Sequence, residues 1–143
     1  MKYIAKYLEM PYIKVYEVAT FYTMYNLAPV GKYFVQVCTT SPCLIRGADK
    51  IVKICKEKIS NEENKLSDNK LCSWLEVECL GACVSAPMMQ INNDYYEDLD
   101  ETNTLEIINS LLQDKPIKPK SFRNRTSTAP EKNRPVINGE KNA

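Results

Sequence analysis

Histidine is absent from this 143-residue chain, glycine occurs only four times, and no long uninterrupted apolar run is present. The lack of histidine excludes a histidine general base, a histidine-containing triad and a histidine-ligated metal. A membrane-spanning helix needs about 20 consecutive apolar residues, and a secretory leader needs an apolar block near the N-terminus. We therefore expect a protein that neither spans nor crosses a membrane.

The residues that are present indicate one folded domain with an uneven charge distribution. The hydrophobic share of 44% and the charged share of 26% are close to those of globular proteins. The total charge of +1 conceals an acidic body, with a net charge of −5 over residues 1–114, and a basic end, with +6 over residues 115–143. Because apolar periodicity also disappears there, we expect residues 114–143 to form a basic, disordered tail.

Hydrophobic periodicity predicts an α/β (α+β) fold built on a small mixed sheet. The predicted elements are a strand over 32–38, a helix over 44–58, a strand over 71–78, a hairpin turning at 92–94 and a helix over 101–113 capped by Asp100. Residues 1–27 contain two short helices separated by Pro11, too short to cover each other's apolar faces. We predict a domain over 32–113 that follows the end of an incomplete helical domain over 1–27.

Four of the six cysteines form two pairs, each in a loop directly after a predicted strand. Cys38 and Cys43 are separated by four residues, and Cys79 and Cys83 by three. Because neighbouring strand ends place such loops side by side, we predict that the four thiols converge. Four converging thiols without histidine suit disulfides, a zinc site with four cysteine ligands, or an iron–sulfur cluster.

Compartment and spacing separate these three chemistries. Structural disulfides need an oxidising compartment, which a chain without a secretory leader is not expected to reach. Zinc ribbons use pairs from C-x2-C to C-x4-C, so the combination of x4 with x3 is unusual, and a cubane cluster would need C-x2-C-x2-C. A 2Fe-2S cluster takes two thiolates on each iron, which two separated pairs match. The spacing favours this cluster, and a structural zinc module remains the alternative.

The other two cysteines are predicted to be core thiols. Cys55 shares one helical face with Leu44, Ala48 and Ile51, and Cys72 begins a strand. Free cysteine is among the most frequently buried residue types. Gly81, between the second pair of thiols, would let backbone N–H groups approach a negatively charged cluster.

Four segments identify a family. They are Val15–Tyr25 (VYEVATFYTMY), Val35–Cys43 (VQVCTTSPC), Glu76–Met88 (EVECLGACVSAPM) and Tyr95–Leu99 (YYEDL). Together they closely resemble the 2Fe-2S subunit of NADH:quinone oxidoreductase, the respiratory complex I, which is a thioredoxin-like ferredoxin. The resemblance runs from about Met1 to Gln113.

The resemblance implies a thioredoxin-like domain in which Cys38, Cys43, Cys79 and Cys83 ligate one 2Fe-2S cluster. It further implies an electron-transfer subunit that exchanges single electrons with the FMN of a flavoprotein partner, beside other peripheral-arm subunits. The chain has no G-x-G-x-x-G nucleotide motif, so NADH oxidation is expected to belong to that partner, and no catalytic residue is assigned here. We expect neither nucleic-acid binding nor membrane insertion.

Two related expectations concern location and assembly. Through the complex, the chain would lie on the cytoplasmic, inner face of a bacterial plasma membrane, or on the matrix side in mitochondria. A closely similar subunit occurs in the diaphorase part of NAD-linked hydrogenases and formate dehydrogenases, which is the alternative assembly.

Overall fold

A four-stranded mixed sheet organises the computed structural model, which describes residues 1–125. The elements in chain order are α1 Lys2–Tyr7, α2 Tyr12–Phe21, β1 Tyr33–Cys38, α3 Ser41–Ile45, α4 Ala48–Lys58, β2 Cys72–Val77, a 3₁₀ turn Cys83–Ser85, β3 Met89–Ile91, β4 Asp94–Tyr96 and α5 Glu101–Leu112. The strand order across the sheet is β2-β1-β3-β4. The predicted succession of strand, helix, three strands and helix is confirmed.

The central strand β1 aligns the chain segments that carry the paired cysteines. It runs parallel to β2, with Cys38 opposite Val77, and antiparallel to β3, with Val37 opposite Met89. Parallel strands end at the same edge of a sheet, so the loop after β1 and the loop after β2 leave the sheet together. The N–H of Cys38 also donates to the carbonyl of Met88 at 3.3 Å, which brings the start of β3 to this edge.

The main core lies between the sheet and helices α4 and α5. Its fully buried members include Val35, Trp74, Ile107 and Leu111. Trp74 satisfies its single polar group, because its indole N–H donates to the carbonyl of Ser60 at 2.7 Å. This packing holds the strands in place, including their ends, where the cysteine loops begin.

The predicted helix over 44–58 is wrong in one respect, because it is broken into α3 and α4. Gly47 precedes α4 with a φ of +99°, in the left-handed region that other residues rarely adopt. The break turns α3 away from the apolar face of α4, so Leu44 is 54% exposed while Ala48, Ile51 and Cys55 are buried. Three of the four residues of the predicted face are therefore in the core.

The predicted cap and hairpin are both confirmed. Asp100 and Asn103 form a capping box at the start of α5, in which each side chain accepts the other's backbone N–H at 2.9 Å. Asn92 and Asn93 form the turn between β3 and β4, and Asn92 takes a φ of +54°.

Residues 115–125 differ from the expected tail because they pack against the domain. Ile117 and Phe122 contact the main core, and Ser121 is buried. The N–H of Glu97, just after the edge strand β4, donates to the carbonyl of Lys120 at 3.1 Å. This segment covers part of an edge whose backbone groups would otherwise need other partners. Residues 126–143, the rest of the expected tail, lie outside the described residues.

The two N-terminal helices contact each other and expose most of their apolar side chains. Ala5 is the one buried residue of positions 1–27. Tyr3, Tyr7, Phe21 and Met24 are each at least 75% exposed. Within residues 1–125, no helix has the length and apolar character needed to cross a membrane.

At Gly31 the chain lies too close to the start of β2 to leave room for a side chain. A Cβ there would lie 2.6 Å from the carbonyl oxygen of Leu71 and 2.7 Å from the carbonyl carbon of Cys72, both backbone atoms. We expect Gly31→Ala to lower the free energy of unfolding by about 1–3 kcal/mol, because strands must separate to admit the methyl group. Thermal unfolding measures this, with Val30→Ala as the control because Val30 is exposed. Equal melting temperatures for the two variants would contradict the close approach.

Candidate metal centre

The first pair of thiols is buried where β1 ends and α3 begins. Cys38 is the last residue of β1, and Cys43 lies in the first helical turn that follows. Pro42 stands at the start of α3, where its missing N–H has no helical partner to lose. The Thr40 hydroxyl lies 3.4 Å from the Cys38 sulfur, within hydrogen-bonding distance. Cys38 and Cys43 are 2% and 1% exposed, so this side of the site is dry.

The second pair lies in an exposed loop between β2 and β3. Cys79 and Cys83 are free thiols with sulfurs 3.3 Å apart. Gly81 between them has a φ of +81°, which reverses the chain over three residues and turns both side chains to one side. The loop ends in the 3₁₀ turn and a cis Ala86–Pro87 peptide bond, after which β3 begins.

The two pairs lie at the same edge of the sheet. The N–H of Thr39, next to Cys38, donates to the carbonyl of Val77 at 3.2 Å, and the backbone of Leu80, next to Cys79, hydrogen-bonds with the Cys38 sulfur. Burial, and then the Cys38 thiol and the Cys83 charge, raise the pKa of Cys43 to about 12. The Cys79 thiol and burial raise the pKa of Cys83, and the Cys38 charge raises it further. The structure thus places both cysteine pairs at one edge of the sheet, as the sequence predicts.

Backbone N–H groups are directed at the sulfurs. The Gly81 N–H donates to the Cys79 sulfur at 3.4 Å, and this bond is the main cause that lowers the Cys79 pKa. Burial acts to raise the pKa of Cys38, but the hydroxyl of Thr40 and the backbone of Leu80 outweigh it and lower that pKa. These donors stabilise negative charge on sulfur, as a thiolate-ligated cluster requires.

The arrangement of the donors fits a two-iron cluster. Cys38 and Cys43 form one pair of free thiols, and Cys79 and Cys83, with sulfurs 3.3 Å apart, form the other. A zinc ion with four cysteine ligands needs four sulfurs around one point, whereas a 2Fe-2S cluster takes one pair of thiolates on each of two irons. Two adjacent pairs of free thiols, with backbone N–H groups around them, provide the second arrangement.

Cys55 and Cys72 lie in the main core, apart from this site. Both are fully buried, among the residues between the sheet and α4. Burial raises the pKa of Cys55 to about 12 and that of Cys72 to about 11. Neutral, enclosed thiols of this kind have a packing role. By contrast, the paired thiols Cys38 and Cys43 pack in a separate small cluster with Ala48, Ala86 and Met88.

Two residues that contact the site received no role from the sequence. Thr40 lies within reach of the Cys38 sulfur, and the hydroxyl of Tyr95 donates to the carbonyl of Leu80 at 2.7 Å. Thr40 lies between Cys38 and Cys43 in the sequence, and this position could have indicated its contact with a sulfur. Tyr95 is distant in sequence, and only its place in the Tyr95–Leu99 motif points to it.

The chain is similar in sequence to a ferredoxin family and to components of NADH dehydrogenases. The family model of thioredoxin-like [2Fe-2S] ferredoxins matches residues 1–112. A component of the NADH-quinone oxidoreductase of Rickettsia typhi is 53% identical over 114 residues, which cover 80% of this chain and 67% of that protein. The mitochondrial NADH dehydrogenase [ubiquinone] flavoprotein 2 of Dictyostelium discoideum is 48% identical over 103 residues, 72% of this chain and 42% of that protein.

A solved structure shows the same fold in a larger protein. The NAD+-reducing [NiFe]-hydrogenase in its H2-reduced state superimposes with a TM-score of 0.65 over 80% of this chain and 20% of that chain, at 16% identity. The chain spans about two thirds of the length of the Rickettsia typhi relative.

The predicted fold class and the predicted family resemblance are both confirmed by these matches. The family match covers residues 1–112, and therefore includes both cysteine pairs and every strand of the sheet. The chain belongs to the thioredoxin-like [2Fe-2S] ferredoxin family.

Proposed function

We propose that this chain is an electron-transfer subunit of an NADH-quinone oxidoreductase and holds one 2Fe-2S cluster on Cys38, Cys43, Cys79 and Cys83. The observation that carries the proposal is the convergence of two free thiol pairs, one buried and one exposed, at one edge of the sheet. The choice of enzyme follows the Rickettsia relatives, which are named as subunits of NADH-quinone oxidoreductase. When bound, the cluster supplies reversible one-electron exchange.

The protein's part in this function is to hold the thiolates and to stabilise their charge. The buried pair excludes water from one side, while the N–H of Gly81 and the backbone of Leu80 offset negative charge near Cys79 and Cys38. The exposed pair keeps the other side of the site open to a partner. No proton acceptor is needed when a single electron moves, which agrees with a site that has no histidine.

An apolar surface beside the exposed pair supports docking of the flavoprotein partner. After residue 30, the large hydrophobic side chains that are exposed within the described residues are Leu44, Ile45, Val84 and Tyr95. Leu44 and Ile45 follow Cys43 in the chain, Val84 follows Cys83, and Ile45 is 85% exposed. We call Leu44, Ile45 and Val84 the site rim. Covering it would bring the FMN of the partner near the cluster and exclude water between them.

The remaining parts of the chain have roles in assembly under this proposal. Residues 1–27 expose an apolar face that would contact peripheral-arm subunits of the complex. Residues 32–113 are the cluster domain. The complex then places the chain on the cytoplasmic face of the bacterial membrane, or on the matrix side in mitochondria.

The ligand assignment is tested by replacing Cys79, an exposed proposed ligand, and Cys55, a buried core thiol. Anaerobically purified protein is expected to contain about two irons and two sulfides per chain and to give a rhombic spin-1/2 EPR signal after reduction. Cys79→Ser should deplete iron and this signal because it removes a ligand. Cys55→Ala should keep both, since its thiol is enclosed in the core.

Iron analysis and EPR of the two variants decide between a cluster and a zinc site. Cluster loss in Cys55→Ala, with Cys79→Ser unaffected, would refute the ligand set. A colourless wild-type protein with one zinc per chain would refute the cluster and support the structural zinc module.

The docking assignment is tested at Ile45, the most exposed residue of the site rim. We expect Ile45→Lys to keep the cluster and its EPR signal, but to reduce both co-purification with the flavoprotein partner and cluster reduction by NADH in the complex by about tenfold or more. A buried lysine charge at an interface causes such a loss. Asn93→Lys is the matched control, because the β3–β4 turn lies at the opposite end of the sheet. If the two variants behave alike, the partner does not dock on the site rim.

Co-purification with hydrogenase or formate dehydrogenase subunits would instead favour the alternative assembly.

A further inference from the structure

The motif Tyr95–Leu99 holds the loop that carries the exposed thiols, residues 79–87, which we call the cysteine loop. The Tyr95 hydroxyl donates to the carbonyl of Leu80 at 2.7 Å. At the other end of the loop, the N–H groups of Asp98 and Leu99 donate to the carbonyls of Ser85 at 2.8 Å and Pro87 at 2.9 Å. Three hydrogen bonds from five consecutive residues therefore span the whole loop.

The motif is itself a firm support. Asp98 is buried and adopts a left-handed φ of +54°, a conformation that persists only where the surroundings enforce it. The Ser121 hydroxyl donates to its carboxylate at 2.6 Å, and the Arg125 side chain lies 3.5 Å from the same oxygen. Ser121 and Arg125, in the segment after α5, thus hold Asp98 in place, and the motif in turn holds the cysteine loop.

Tyr95 acts on the peptide group between Leu80 and Gly81. The carbonyl of this peptide accepts the Tyr95 hydroxyl, and its N–H, on Gly81, donates to the Cys79 sulfur at 3.4 Å. Because a peptide group is planar, fixing the direction of the carbonyl also fixes the direction of the N–H. A donor on the carbonyl also polarises the amide and strengthens the N–H as a donor.

Gly81 makes this restraint necessary. It is exposed, its φ is +81°, and a Cβ built on it would have no protein atom within 4 Å. Gly81 therefore contributes no side-chain packing that could hold this peptide. Among residues 1–125, the Tyr95 hydroxyl is the side-chain hydrogen-bond donor to the Leu80 carbonyl.

We propose that Tyr95 is a positioning residue, whose hydroxyl holds the Leu80–Gly81 peptide with its N–H on the Cys79 sulfur and thereby raises the reduction potential of the bound cluster. This inference rests on the proposed function, since it requires a cluster on Cys79. An N–H bond to a ligating sulfur stabilises the more negative, reduced form, so losing the bond favours the oxidised form.

The experiment compares Tyr95→Phe with Tyr96→Phe in the full-length protein with its cluster. Tyr96 is the matched control, because its hydroxyl also donates to a backbone carbonyl, that of Ile117 at 2.6 Å, which is outside the cysteine loop. An EPR-monitored redox titration should give a more negative midpoint potential for Tyr95→Phe than for the wild type. Tyr96→Phe should leave the potential unchanged. After exchange into D2O, ENDOR of the reduced cluster should show a weaker coupling to one exchangeable proton in Tyr95→Phe alone.

The outcomes separate this inference from the proposal on which it rests. A wild-type protein without a cluster refutes the proposed function. A wild-type cluster whose potential is the same in both variants, or shifts equally in both, overturns only the role of Tyr95. If Tyr95→Phe loses its cluster while Tyr96→Phe keeps it, the positioning role is supported, and loss in both overturns it.

Discussion

The parallel pairing of β1 with β2 is the constraint on which the rest of the site depends. With Cys38 opposite Val77, both strands end at the same edge and both cysteine loops begin there. A shift of one residue would turn Val35 and Val37 out of the core, so burial of these side chains fixes the register. The thiols of two distant chain segments are thus brought together by packing far from them, before any metal is considered.

The two pairs of thiols are held by different means. Cys43 is fixed by a helix, by apolar contacts with Ala48, Ala86 and Met88, and by hydrogen bonds with the Cys38 thiol and the Met88 backbone. Cys79 lies in an exposed loop with a flexible glycine, so hydrogen bonds must replace packing there. Under the proposed function, exposure lets an electron pass to another protein, and the hydrogen bonds of Tyr95–Leu99 hold the exposed loop in place.

The sequence was sufficient for the parts of the fold that depend on local patterns. Strand residues, the cap at Asp100 and the Asn92–Asn93 turn are local, and the two cysteine pairs are recognisable from their spacing after strands. The break at Gly47 was missed, because one glycine in an apolar helical pattern is often tolerated. The contacts of Ser121 and the hydrogen bond from Tyr95 depend on tertiary structure, and no periodicity reports them.

The pKa values of the four paired thiols differ because their surroundings differ. Burial and the neighbouring thiols Cys38 and Cys83 raise the pKa of Cys43 to about 12, so at neutral pH this thiol keeps its proton until a cation replaces it. The Gly81 N–H lowers the pKa of Cys79, which makes its proton easier to remove. Since ligation requires deprotonated sulfur, a metal ion would displace the proton less easily at Cys43 than at Cys79. The chain therefore presents the more acidic exposed thiol, Cys79, to solvent, and encloses the thiol whose proton is hardest to remove.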